Sequence, residues 1–221
     1  VELAWCSYMT KEEYIAVLKK YPDIEDEIRN RTKEENGHYV VAYTRIITDY
    51  PGFHKYMEGF EIYNGRRNFD EFKSIIFERF ERFKGDKCLF ECAFLQNIVE
   101  DLILFHQVDD DAIIDFYRGL FSKVDKDNFL LLYLDSDAVE ENVLKIKKER
   151  SDACGNEMWY PLMISYLKES PYGKVHGYTE FSHLIKHLKH RQAVERRIIK
   201  EVIRDNAIIL PAKEWTEEML P

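Results

Sequence analysis

Phe129-Leu130-Leu131-Leu132-Tyr133-Leu134, followed at once by Asp135-Ser136-Asp137, is the stretch on which the fold turns. An apolar run without alternation is how a strand reads when both of its faces are covered, as in a parallel sheet. The Asp-Ser-Asp that stops it offers a helix N-cap, and a helix is expected through about Arg150. Working outward, Cys88-Leu89-Phe90-Glu91-Cys92-Ala93-Phe94-Leu95 is apolar except for Glu91 and reads as a second buried strand. Ala207-Ile208-Ile209-Leu210, just before Pro211, reads as a third. Helical spacing of apolar residues predicts helices over 95–106, 109–123, 157–169 and 179–204. Strands separated by helical crossovers predict an α/β fold: a helix-rich, doubly wound parallel sheet forming a single domain over 1–221. The alternative is a mainly helical protein in which 88–95 and 129–134 are buried helix segments, because runs this short do not fix their own period.

The N-terminal portion reads less regularly. Thr10-Lys11-Glu12-Glu13 is a capping box, and Tyr14, Val17 and Leu18 supply a short apolar stripe after it. Residues 24–36 are mostly charged, anchored by Ile24 and Ile28, and Asn36-Gly37 reads as a helix stop. Tyr39 to Ile47 is open between strand and helix. Asn68 caps a helix in which Phe72, Ile75, Ile76, Phe80 and Phe83 recur at helical spacing, ended by Gly85-Asp86.

Composition narrows the function classes. Hydrophobic residues at 45% and charged residues at 33% give a chain able to build a core rather than remain disordered. A formal net charge of -9 argues against nucleic acid or an anionic membrane as partner. The bases that exist cluster late, at His183, Lys186, His187, Lys189, His190, Arg191, Arg196 and Arg197, and read as the solvated face of a helix. Cys6, Cys88, Cys92 and Cys154 show no CxxC pair and no metal-type spacing, so no metal site is expected and a reducing, cytoplasmic compartment is. No apolar run approaches the roughly 18–20 residues of a membrane helix. A homo-oligomer is left open.

In open α/β sheets, ligands bind beyond the carboxyl ends of the strands. Glu91 and Asp135 stand at two such ends, where a carboxylate can hold a hydroxyl or a metal-bound water. Two readings of Glu91 are open, that one and a helix cap or buried ion pair. Asp135 and Asp137 equally fit an ordinary N-cap. Lys147-Lys148-Glu149-Arg150 ends the helix after the strand; the helix dipole alone favours bases there. The same order of strand, helix, terminal Arg and helical hairpin also forms a lid whose Arg meets a transferring phosphoryl group.

Several stretches together resemble a family of bacterial P-loop kinase-like proteins, distantly similar to thymidylate and deoxynucleoside kinases. They are Leu3-Ala4-Trp5 with Tyr8-Met9-Thr10-Lys11-Glu12-Glu13-Tyr14, Glu61-Ile62-Tyr63-Asn64-Gly65-Arg66, Phe90-Glu91-Cys92-Ala93-Phe94-Leu95-Gln96-Asn97, Lys148-Glu149-Arg150 and Ser170-Pro171-Tyr172-Gly173-Lys174. The resemblance spans essentially the whole chain. It implies a small-molecule phosphotransferase using ATP and Mg²⁺, with a helical lid over about 150–176. Glu91 is then similar to a carboxylate that accepts the substrate's proton or orients Mg²⁺, and Arg150 to a lid arginine. Gln96, Arg66, Tyr63, Tyr172, Lys174 and Arg191 resemble residues at the substrate, although Asn64-Gly65 is also a common turn and 172–174 reads equally well as an ordinary loop.

One departure from the family matters. No GxxxxGK[ST] loop, whose backbone N–H groups would wrap a phosphate, occurs in the sequence. In the family the strand before that loop lies mid-sheet, between the counterparts of 88–92 and 129–134. The chain starts at Val1 rather than Met, and the expectation is that this strand and loop lie upstream. The competing expectation is a non-catalytic, kinase-like binding module that has lost nucleotide binding.

Overall fold

The computed structural model describes residues 5–85, 87–152 and 154–212, and contacts divide it into two compact units. The first comprises Val1–Ile76 and Lys84–Asp101, the second Phe77–Phe83 and Leu102–Pro221. Leu3, Ala4 and Asp86, which the sequence reading used, lie outside the described residues. The architecture is α/β and helix-rich, with two small sheets, one antiparallel and one parallel.

The first unit opens with β1 (Ser7–Met9), α1 (Lys11–Lys20), α2 (Glu25–Asn30), β2 (Thr32–Glu35) and β3 (His38–Val41). The capping box forms as read: Thr10 Oγ1 accepts from the Glu13 N–H at 3.2 Å, and Glu13 Oε2 accepts from the Thr10 N–H at 2.8 Å. The strands pair antiparallel in the order β1-β3-β2. Asn36-Gly37 is not a helix stop. Both residues have positive φ (53° and 80°), the geometry of a two-residue hairpin whose twist matches that of its strands, and they join β2 to β3. The charged segment therefore splits into a short helix and an edge strand. Behind the sheet, Met9, Val17, Leu18, Ile28, Val41 and Ile46 pack with α3 (Phe53–Glu58) through Phe53 and Met57.

The 88–95 run is a correction. It forms no strand: the chain bends through Cys88, Leu89 and Glu91, which are exposed, and only Ala93–Leu95 are buried, ahead of α5 (Gln96–Leu104). Lys87 and Cys92 have positive φ (51° and 60°), incompatible with extended backbone, and among the described residues no ladder partner lies beside the run. An apolar composition does not make a strand without a neighbour to accept its backbone groups. Before it, α4 (Phe69–Glu81) starts as predicted from Asn68, whose Oδ1 accepts from the Glu71 N–H at 3.0 Å.

In the second unit, α6 (Asp110–Phe121) buries Ile113, Ile114, Phe116, Tyr117, Leu120 and Phe121. The run that opened the sequence reading is β4 (Leu131–Asp135); α7 (Val139–Glu149), α8 (Trp159–Glu169), α9 (Pro171–His176) and α10 (Phe181–Ile198) follow. A π-helical turn, Ile199–Ile203, leads α10 into β5 (Ala207–Pro211), which pairs parallel with β4 from Leu131↔Ala207 to Asp135↔Pro211. Among the described residues this sheet has two strands. The expected burial of β4 on both faces fails: Leu131, Tyr133 and Asp135 are half-buried on one, and Leu130, Leu132 and Leu134 are 47%, 38% and 54% exposed on the other. Alternate residues point to opposite faces, and only the Tyr133–Asp135 side meets α10.

The junction of α8 and α9 has no spare volume. Ser170 Oγ donates to the Leu167 carbonyl at 2.7 Å and accepts from the Gly173 N–H at 3.0 Å. A Cβ on Gly173 would stand 1.8 Å from the Leu167 oxygen, which is backbone and cannot rotate away. Gly173→Ala is expected to destabilise the protein by about 1–3 kcal/mol, read as a lower urea midpoint with unchanged m-value.

Candidate functional site

At the carboxyl end of β4, Asp135 faces α10 and its oxygens are fully engaged. Arg196 grips both of them, Nε to Oδ2 at 2.9 Å and Nη2 to Oδ1 at 2.9 Å, Gln192 Nε2 donates to Oδ1 at 2.8 Å, and the Ser136 N–H donates at 3.0 Å. Arg196 also reaches Asp137 Oδ1 at 2.6 Å. A bidentate guanidinium with added donors fixes the carboxylate in place, so this strand-end acid ties β4 to α10. Two residues back, the Tyr133 hydroxyl donates to Glu195 Oε2 at 2.8 Å, and burial together with Glu195 pushes that hydroxyl above its ordinary range. Arg191, expected near a substrate, packs half-buried with Nε 3.4 Å from Glu195 Oε1.

The basic run on α10 is thus solvated only in part, at Lys186 and Lys189 above all. His187 is buried, His190 Nε2 is 2.8 Å from Asp110 Oδ1, and Arg197 Nη2 is 2.8 Å from Asp111 Oδ1. Acids on α6 and at the end of β4 absorb these bases, and none of the pairings is visible from spacing along one helix.

The segment expected to form a lid carries a cation with no acid partner among the described residues. Arg150 caps the C-terminus of α7, is exposed, and lies 5.8 Å from the Trp159 ring centroid; among the described residues no carboxylate pairs with it. The loop after it is closed by Asp152, held below the ordinary carboxylate range by donors from the Asn156 side chain and backbone. On α9, Lys174 is exposed, while Tyr172 is half-buried against His176 and Tyr178 (ring centroids 4.0 and 5.8 Å).

Four of the sequence candidates belong to the first unit. Tyr63-Asn64-Gly65-Arg66 is a tight turn with Asn64 and Gly65 at positive φ, closed by the Arg66 N–H on the Tyr63 carbonyl at 3.3 Å. Tyr63 is buried edge-on to Phe72, and Arg66 is committed to Glu58 at 2.7 Å. Two buried carboxylates that the sequence reading did not single out hold this turn. Asp101 Oδ1 accepts from the Asn64 N–H, and Glu61 accepts from the Tyr43 hydroxyl at 2.5 Å and from Asn64 Nδ2 at 3.3 Å. Glu61 is 2% exposed, and burial, outweighing the donors from Tyr43 and Asn64, raises its pKa. Glu91 is exposed in the bend and makes no ion pair among the described residues; Gln96 begins α5 and accepts from Cys92 Sγ at 3.4 Å. Glu91 therefore does not end a strand, and it lies in a different unit from Arg150.

The described residues do not fit the implied nucleotide and metal. No phosphate loop is present, Asp135 is saturated, and no group of three or more His, Cys, Asp or Glu side chains could hold a metal ion. No helix among them is long and apolar enough to cross a membrane. No family model, curated protein or solved structure matches the chain.

Two outcomes follow from this geometry. Arg196→Met leaves Asp135 half-buried without its cation and is expected to cost about 1.5–3 kcal/mol in denaturant titration, the usual range for charged hydrogen bonds. For Glu61 the raised folded pKa means that its proton is held more tightly in the native state. The associated stability is full below the ordinary glutamate value of 4.5 and is lost as pH rises through the raised value. Glu61→Gln should therefore gain stability relative to wild type between acid and neutral pH, measured as the difference in urea midpoints across that interval.

Proposed function

We propose that this chain is the downstream, lid-bearing part of a P-loop-kinase-like phosphotransferase acting on a small hydroxylated or phosphorylated molecule. The observation that carries the reading is the open β4. A parallel pair is rarely exposed on a face, and two strands alone make a marginal sheet. Leu130, Leu132 and Leu134 in solvent, beside an edge with no third strand among the described residues, suit a doubly wound sheet completed by a further strand. That is where the resemblance puts the strand before the phosphate loop. Residues outside those described would have to hold ATP and Mg²⁺, and no step is derived through either.

What this chain supplies is charge and position. Arg150, at a helix end and unpaired with any described acid, is suited to meet negative charge on a phosphoryl group. Lys174 and Tyr172 on α9 line the same lid region and suit substrate contact. Arg191 is a positioning residue held by Glu195. Glu91, exposed and with no ion pair among the described residues, suits a base by the resemblance alone. Gln96 is a surface amide available to a substrate, whereas Arg66 and Tyr63 are committed to their turn. A second reading, a non-catalytic binding module, is favoured by the saturation of Asp135 and by the missing phosphate loop.

Phosphoryl transfer from ATP to a panel of small hydroxylated acceptors, by the product of the complete reading frame, separates the two. Arg150→Ala should lower kcat by about 10²–10³-fold, the cost of removing one donor to developing charge. Glu91→Gln should lower it as well. Unchanged turnover in either variant removes that residue from the mechanism, and calorimetry showing no ATP binding by the complete product leaves the binding module standing.

A further inference from the structure

Within the first unit, the C-terminal end of α1 and the loop entering α3 enclose a depression of about 640 Å³, lined by Lys20, Tyr21, Tyr50, Gly52, Lys55 and Tyr56 together with Pro51. Its walls are phenol rings. Tyr21 lies edge-to-face against Tyr50 at 5.1 Å and Tyr56 at 5.8 Å, with Phe53 against it at 5.1 Å. Gly52, at φ +75°, turns the chain from Tyr50-Pro51 into α3 and so brings the two halves of the wall together.

The charge of the depression is opposite to that of the protein. The chain carries a formal net charge of -9, yet the lining holds two lysines and no acid. Lys55 pairs with Glu58 at 2.9 Å. Lys20 has no carboxylate partner among the described residues: its Nζ sits 3.4 Å above the Tyr56 ring centroid and 5.6 Å from that of Tyr21. A cation parked on an aromatic face, without a counter-ion, occupies the position that a ligand ring would take.

We propose that this depression binds a small planar aromatic anion. Its ring lies against Tyr56, backed by the buried Tyr21, its anionic group is met by Lys20 and Lys55, and Lys20 leaves the Tyr56 face as the ring arrives. The volume is that of a small-molecule site rather than a peptide groove. An organic cation would instead enter beside two ammonium groups. The site shares no residue with the β4 end or the lid, so it does not rest on the phosphotransferase reading.

The test uses the 221-residue chain and four probes: 1-naphthyl phosphate, inorganic phosphate, 1-naphthol and tetramethylammonium, titrated by calorimetry. Naphthyl phosphate should bind at least about tenfold more tightly than either of its halves, because ring and charge are met together. Lys20→Ala should weaken naphthyl phosphate about tenfold while leaving naphthol unchanged or improved, since it uncovers the Tyr56 ring. A merely structural Lys20 would not produce that split. Aromatic chemical shifts of the wild-type chain should move for Tyr21, Tyr50 and Tyr56 on titration, a readout independent of how any variant folds. Tetramethylammonium binding best, naphthyl phosphate binding equally to wild type and to the Lys20→Ala/Lys55→Ala double variant, or no shift at these tyrosines would each overturn the proposal.

Discussion

The second unit depends on one carboxylate. Asp135 terminates β4 with donors on both oxygens, two of them from the same guanidinium, and that clamp fixes the strand end against the C-terminal part of α10. A parallel pair cannot close through a tight turn, so α7 to α10 must all be traversed before β5 arrives beside β4. Each neutral contact along that path is worth little by itself. The half-buried ion pair gives the crossover a register, because shifting α10 by one residue would strand Asp135 without its cation and Glu195 without Tyr133.

The same clamp redistributes chemical roles. A strand-end acid that looks available in sequence is used up by the fold, whereas the cation at the end of α7 lies over an indole ring with no acid partner among the described residues. In the first unit the pattern repeats: Glu61 and Asp101 are spent holding a four-residue turn, and Lys20 rests on a ring instead of a carboxylate. Among the sequence candidates, Arg150, Lys174 and Glu91 stay exposed, whereas the buried acids are engaged.

The open leucine face of β4 and the tyrosine-lined depression are different kinds of surface. The first is an alternating stripe beside an unpaired edge, suited to another strand. The second is concave, ring-walled and basic, suited to a small molecule. The kinase-type shell we propose would account for the first and has no bearing on the second.

Local chemistry was decided by the sequence alone. Thr10 with Glu13, Asn68 with Glu71, the stripes of α4 and α6, and the strands at 131–135 and 207–211 are all legible, because a cap or an apolar period lies within a few residues of itself. Tertiary structure decided the rest. Cys88 to Leu95 has the composition of a strand but gains no partner to accept its backbone groups, and Asn36-Gly37 became a hairpin once two short strands could pair. Tyr43 lies 18 residues from Glu61 and Arg196 lies 61 from Asp135, while Lys20 rests on a ring rather than a charge. Ion pairing and cation–π contact act through space, so no period along the chain records them.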